Sequence, residues 1–222
     1  MKIPESTPQT DSSRPRGRPR IAGHDLTTRQ APVLEAAGRL LAMRPSGDIS
    51  VEHLLQETGT SRPSFYRWFP GGMDQVFDQL IAKANSELMV RIISGVAQGD
   101  SPEARIRAGV RAYFDWGFEQ GPVVTGIYRE GFTEGSIAQQ YRQKTIEVAI
   151  GLINQQAEQM GLLALPSPMI ETLVSWIETA GVVVFRHYPV SRAEVDQQCS
   201  LTTRMFEATL QAVLSDYVVL QR

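Results

Sequence analysis

Thr58-Gly59-Thr60-Ser61-Arg62-Pro63-Ser64-Phe65-Tyr66-Arg67-Trp68-Phe69 reads as the end of one helix, a tight turn and a second short helix. Gly59 suits the position just past a helix C-terminus. Ser61 is a favoured N-cap, and Pro63 falls in the first turn, where its missing N–H does little harm. Phe65, Trp68 and Phe69 recur at i, i+3 and i+4 and form one apolar face. Upstream, Ser50 caps a helix over 50–58 with Val51, Leu54 and Leu55 on one side. Two helices joined by so short a turn cross steeply, so the second can project from the surface. Its opposite face carries Arg62, Ser64 and Arg67 with Tyr66 beside them, hydrogen-bonding groups with no acid in the helix, suited to a major groove. A helix N-terminus also offers backbone N–H groups to a phosphate. A structural helical hairpin with a basic solvent face is the alternative on this pattern alone.

Outward toward the N-terminus lies Arg14-Pro15-Arg16-Gly17-Arg18-Pro19-Arg20, four arginines on alternate positions with no acid between them. Proline keeps such a segment extended. Arginine is drawn to the strong negative potential of a narrow minor groove. Seven extended residues reach about 23 Å, enough to follow several base pairs. Arg16, Arg18 and Arg20 are therefore candidate DNA contacts; a solvated tail or a targeting signal is the alternative. Residues 1–26 lack apolar periodicity and read as a flexible basic arm.

The charge distribution agrees. Through Gly72 there are ten Lys/Arg against seven Asp/Glu, a net +3, whereas the remainder has twelve against seventeen, a net −5. A basic front on an acidic body points to a polyanion that meets the front alone.

The rest of the 222 residues reads as helix. A first helix is expected over 28–44, with Pro32 in its first turn and Val33, Ala37, Leu40 and Leu41 at helical spacing. Others follow over 73–97, 102–120, 122–131, 134–160, 167–188 and 191–219. No alternating strand pattern and no internal repeat is found, so the chain is expected to be all-α. A single cysteine, Cys199, excludes an internal disulfide and fits a reducing cytoplasm. No apolar run reaches the length of a membrane span. Met1 to Ser13 contains no apolar core of a secretory signal. His24, His53 and His187 have no helically spaced carboxylate or cysteine partner that suggests a metal site or a catalytic triad. No Gly-rich phosphate loop, nucleophile elbow or zinc-protease motif is present. No catalytic residue, metal or cofactor is expected.

The stretch quoted first resembles the TetR family of bacterial regulators, over about residues 28–76. Gly59, Ser61, Arg62, Tyr66 and Phe69 match its helix-turn-helix pattern, and Ser64, Phe65 and Trp68 are conservative replacements. Leu55 and Thr58 stand where small residues are usual. Pro63 stands for glycine, and Gly72 for the lysine that often opens the fourth helix. The resemblance implies a three-helix DNA-binding unit over 27–72 and a larger helical ligand-binding and dimerisation unit over 73–222. It implies phosphate contacts from Ser50 and Tyr66, and contacts to bases or adjacent backbone from Arg62, Ser64 and Arg67, with Thr60 and Ser61 at the turn.

Further along, Ile170, Leu173, Val174, Ile177 and Val184 form an apolar stripe. The last helix has two apolar faces, one through Leu201, Met205, Ala208 and Ala212, the other through Phe206, Leu210, Val213 and Leu214. A helix apolar on two sides is covered on both. By resemblance the stripe and the face through Met205, Ala208 and Ala212 would form a homodimer interface. A monomer that buries everything internally fits the pattern too. The family places an inducer cavity in the body, for which Met89, Tyr113, Trp116, Tyr128, Arg129 and Trp176 are candidates, with Glu130 beside Arg129. The expected function is a cytoplasmic, dimeric repressor that binds a palindromic operator and is released by a small molecule. An activator of the same fold, or a helical adaptor without specific DNA binding, is the alternative.

Overall fold

The computed structural model describes residues 23–159, 161 and 163–219. Arg16, Arg18 and Arg20 lie outside them. Among the described residues the regular elements are all helical: α1 (Gly23–Met43), α2 (Val51–Thr58), α3 (Arg62–Trp68), α4 (Gly72–Gln98), α5 (Pro102–Gln120), α6 (Val123–Gly131), α7 (Ile137–Gln159), α8 (Ser167–Phe185) and α9 (Arg192–Val219), with one 3-10 turn at Ser46–Asp48.

Local chemistry explains most of these bounds. Ser50 and His53 cap α2 reciprocally. The His53 N–H donates to Ser50 Oγ at 3.4 Å, and the Ser50 N–H donates to His53 Nδ1 at 3.1 Å. Gly59 closes the helix with φ +64°, a left-handed conformation that costs glycine little. The Thr58 hydroxyl donates to the Leu54 carbonyl at 2.7 Å and accepts the Thr60 N–H at 3.3 Å, which pins the turn. Ser61 caps α3 through the Ser64 N–H, and Ser101 caps α5 through the Ala104 N–H.

The first helix departs from expectation. It begins at Gly23, so Pro32 lies in its interior rather than its first turn, and the last residues of the expected arm are helical. Proline inside a helix removes one backbone hydrogen bond and is unfavourable by about 3 kcal/mol. Burial offsets that: Val33, Ala36, Ala37, Leu40 and Leu41 are all buried against α2, α3 and α4.

Two apolar clusters hold the chain. One gathers the α1 stripe with Leu54, Phe65, Phe69, Val76, Phe77 and Ile81. The other gathers the second half of α4 with α5, α8 and α9 around Phe114, Trp116, Phe185 and Val195. The helix α4 runs through both. So does α6 in a smaller way, since Ile127 packs against each cluster. By length and composition α8 could cross a membrane; here Ile170, Leu173, Ala180, Gly181 and Phe185 bury one side of it within the bundle.

Candidate nucleic-acid interface and ligand cavity

The helix α3 is held from beneath. Phe65 and Phe69 have no exposed surface and their rings lie 5.3 Å apart. Trp68 is half-buried against the same cluster, and its carbonyl accepts from Gln30 Nε2 of α1 at 2.8 Å. With that side fixed, Arg62, Tyr66 and Arg67 face solvent, and Ser61 and Ser64 lie at the helix start. Tyr66 is 45% exposed, its ring edge-on to Phe65 at 5.2 Å, so a buried aromatic orients an exposed phenol. Ser61, Ser64 and Arg67 form a chain: the two hydroxyls are 3.1 Å apart, and Arg67 Nη2 donates to Ser64 Oγ at 3.2 Å. Thr60 is half-buried in the turn, and Ser50 sits at the start of α2.

Sequence reading missed an acid on this face. Glu52, in the first turn of α2, forms an ion pair with Arg62 across the turn. No acid lies within α3 itself, but α2 supplies one. Both side chains are more than half or about half exposed, so the pair is a solvent-screened contact of small energy.

In the larger bundle a cavity of about 190 Å³ lies among α4, α5, α7, α8 and α9. Its walls are mostly aliphatic. Polar groups come from Arg105 and Gln156 in one region and from Tyr113, Thr145 and Glu178 in another. A smaller cavity of about 70 Å³ shares Leu88, Tyr113, Thr145 and Glu178 with it and adds Asn85, Trp116, Tyr128 and Arg142. Arg142 bonds the Glu178 carboxylate at 2.9 Å and the Ser175 hydroxyl at 2.7 Å. Burial pushes the Glu178 carboxyl above its ordinary range, and Arg142 opposes that rise. The Tyr113 hydroxyl donates to the Glu178 backbone carbonyl at 3.2 Å, and burial raises its phenol pKa.

Of the residues expected at a cavity, Met89 and Tyr113 line the larger one, and Tyr113, Trp116 and Tyr128 the smaller. Arg129 and Trp176 line neither. Trp176 is half-buried on α8. Arg129 is committed elsewhere: its Nη2 donates to the carbonyls of Leu41 at 2.6 Å and Arg44 at 2.8 Å, at the end of α1. Next to it the buried Glu130 accepts from the Ser46 N–H at 3.0 Å and the Ser46 hydroxyl at 2.6 Å. These two neighbours on α6 clasp the segment leading into α2. Periodicity and composition gave no sign of this, because the partners stand more than 80 positions away.

The apolar stripe expected at a dimer interface faces mostly inward. Ile170 and Leu173 are buried in the chain's own core, Val174 and Ile177 line the larger cavity, and Val184 packs on the second cluster. Met205, Ala208 and Ala212 do face outward, joined by Leu201 and Val183. On the other face of α9, Phe206 is buried and Leu210 lines the cavity.

No protein-family model matches the chain. It is 34% identical over 110 residues to the HTH-type transcriptional regulator EthR of Mycolicibacterium smegmatis, 48% of each chain. It is 33% identical over 109 residues to EthR of Mycobacterium tuberculosis, 48% of this chain and 49% of the other. The chain thus spans about half the length of the curated relatives it matches. Among solved structures, a TetR-family regulator from Syntrophomonas wolfei superposes with a TM-score of 0.69 at 11% identity, covering 82% of this chain and 95% of that one. A TetR-like regulator from Rhodococcus gives 0.66 at 17%, covering 82% and 96%. A TetR-family regulator from Streptomyces coelicolor gives 0.63 at 21%, covering 86% and 83%. At these identities the structural likeness is one of fold.

Proposed function

We propose that this chain, whose fold is that of TetR-family regulators and half of which is similar to EthR, is a member of that family and a ligand-responsive transcriptional regulator that binds duplex DNA as a homodimer, most simply as a repressor. The observation that carries the reading is α3: a short helix pinned by Phe65 and Phe69, with Arg62, Tyr66 and Arg67 turned to solvent. The arm through Arg16, Arg18 and Arg20 would add minor-groove contacts, and Ser50, Thr60, Ser61 and Ser64 contacts at the helix starts. In domain terms, the arm and residues up to 72 would meet DNA, and 73–222 would bind ligand and a second copy. The outward face of α9 through Leu201, Met205, Ala208 and Ala212 supports the self-association, since a two-fold pair of recognition helices reaches half-sites about 34 Å apart. The acidic body and basic front suit a protein of the cytoplasm that meets DNA on one side only.

Phosphate contacts position such a protein and base contacts give it sequence preference. Arg67→Ala is therefore expected to flatten discrimination among operator variants, by about 1–3 kcal/mol at one base position. Tyr66→Phe removes only a hydroxyl and should weaken all sites alike. Fluorescence-anisotropy titrations of promoter fragments and random duplex, repeated across salt, check both. Equal affinity for promoter and random duplex at moderate salt would defeat the proposal, as would a ratio of one chain per operator.

Glu52 makes a second prediction of the same surface. Its carboxylate neutralises Arg62 and would stand near phosphates in a complex. Glu52→Gln should tighten binding to every duplex by roughly threefold to tenfold and steepen the salt dependence. Folding stability should change by less than about 1 kcal/mol. Unchanged or weaker binding would mean that Glu52 reads a base through Arg62 or lies outside the contact.

A further inference from the structure

The larger cavity is chemically lopsided. Its middle is aliphatic, through side chains such as Ile92, Val148, Leu152, Ile153 and Leu210. In one region stands Arg105, in the first turns of α5. Its Nε donates to the Gly99 carbonyl at 3.0 Å, and its Nη1 to the side-chain oxygens of Gln156 and of Gln159, the latter at 3.1 Å. All three acceptors are neutral. The acids nearest in sequence, Asp100 and Glu103, are exposed, and neither is among these partners. Among the described residues, the hydrogen-bond partners of this half-buried guanidinium on an apolar wall are thus all uncharged.

The region around Tyr113 and Thr145 is different. There Glu178 brings a carboxylate that Arg142 already engages, through a hydrogen bond from Nε at 3.0 Å and an ion-pair contact from Nη2 at 2.9 Å. A ligand anion would be repelled by Glu178 and would find Arg142 occupied. Arginine, by contrast, is well shaped for a carboxylate, which its fork can bind through two parallel hydrogen bonds. An apolar cavity of 150 Å³ accepts a six-carbon ring, so about 190 Å³ suits a chain of about eight carbons.

We propose that this cavity binds a medium-chain carboxylate, with its chain among the aliphatic side chains and its headgroup on Arg105 in place of Gln156 and Gln159. The carboxylate supplies a countercharge, and the chain fills space that the protein leaves empty. This deepens the regulator reading and rests on it for its biological consequence: the carboxylate would be the small-molecule effector.

Calorimetric titration of the full chain with octanoate, octanol and octylamine tests the chemistry on the unaltered protein. Octanoate is expected to bind at least about tenfold more tightly than either of the others, because charge-assisted bonds are about twice as strong as neutral ones and an ammonium would face Arg105. Arg105→Gln should lose about tenfold for octanoate and leave octanol unchanged. Octanoate binding no tighter than octanol, equal affinity in the variant, or no binding of any of the three would overturn the proposal. The operator affinity of ligand-free protein is measured alongside. Specific DNA binding without an octanoate preference removes the ligand class alone. Octanoate binding without specific DNA recognition removes the regulator reading.

Discussion

Phe65→Ala is expected to lower folding stability by about 3–5 kcal/mol and to abolish specific DNA binding with it. Phe65 has no exposed surface, so the truncation removes a full aromatic side chain from water-free surroundings. Its ring lies 5.3 Å from that of Phe69 and 5.2 Å from that of Tyr66, and both pairings disappear. Few neighbours can close the space. The helix α3 is short, and its Pro63 and N-cap Ser61 fix where it begins. The consequence for function is larger than for most core sites, because the same ring orients Tyr66 on the outer face. Phe65→Leu keeps most of the volume and should cost less than about 1.5 kcal/mol if the site repacks, with DNA binding retained. Urea denaturation followed by far-ultraviolet circular dichroism measures the stability of each variant. A Phe65→Ala protein as stable as the parent, or one that still prefers its operator, would show that α3 is not held from beneath as described.

How much of this was visible in the amino-acid order varies with the range of the interaction. Local signals set the helix bounds: Ser50, Gly59, Ser61 and Pro102 act within a few residues of themselves, and the elements they delimit stand where capping and turn chemistry put them. Pro32 was misplaced for the same reason. Proline is a good marker of a first turn, and only burial of the neighbouring α1 residues tolerates it farther in. Face assignments were less legible. The stripe through Ile170, Leu173, Val174 and Ile177 has the periodicity of an interface and of a core alike, and the packing of α7 and α9 around α8 turns it inward. Least visible were single polar contacts between distant segments. Glu52 reaches Arg62 across a turn, Arg129 reaches the end of α1, and Arg105 reaches Gln156 of α7. Of the cavity walls, Met89 and Tyr113 are legible as large mid-body side chains, whereas Arg105, Thr145 and Glu178, which carry its polarity, are not.

The second large effect is expected at Gly126, where α6 meets α1. A Cβ built there would stand 2.4 Å from the Leu41 carbonyl oxygen and 2.7 Å from its carbon. Both are backbone atoms, so no side chain can rotate away, and the helices must separate. Gly126→Ala is expected to destabilise the protein by about 3 kcal/mol, the upper part of the usual range for overpacking. The same carbonyl accepts Arg129 Nη2 at 2.6 Å, so separation also strains that bond and the neighbouring clasp of Glu130 on Ser46. Glu130 is buried, and a carboxylate that loses its donors there carries an added desolvation cost. Since Ile127 and Tyr128 of the same helix line the smaller cavity, this contact is one path by which occupancy of the bundle could bias the placement of α2 and α3. Coupling of that kind is typically worth 1–3 kcal/mol. Gly151→Ala on α7 is the control, because its Cβ meets nothing within 4 Å and alanine is the better helix former. It should leave stability unchanged or raise it by up to about 1 kcal/mol. If urea unfolding places Gly126→Ala beside Gly151→Ala, then α6 and α1 are not pressed together, and α4, which packs in both clusters, is left as the link between cavity and α3.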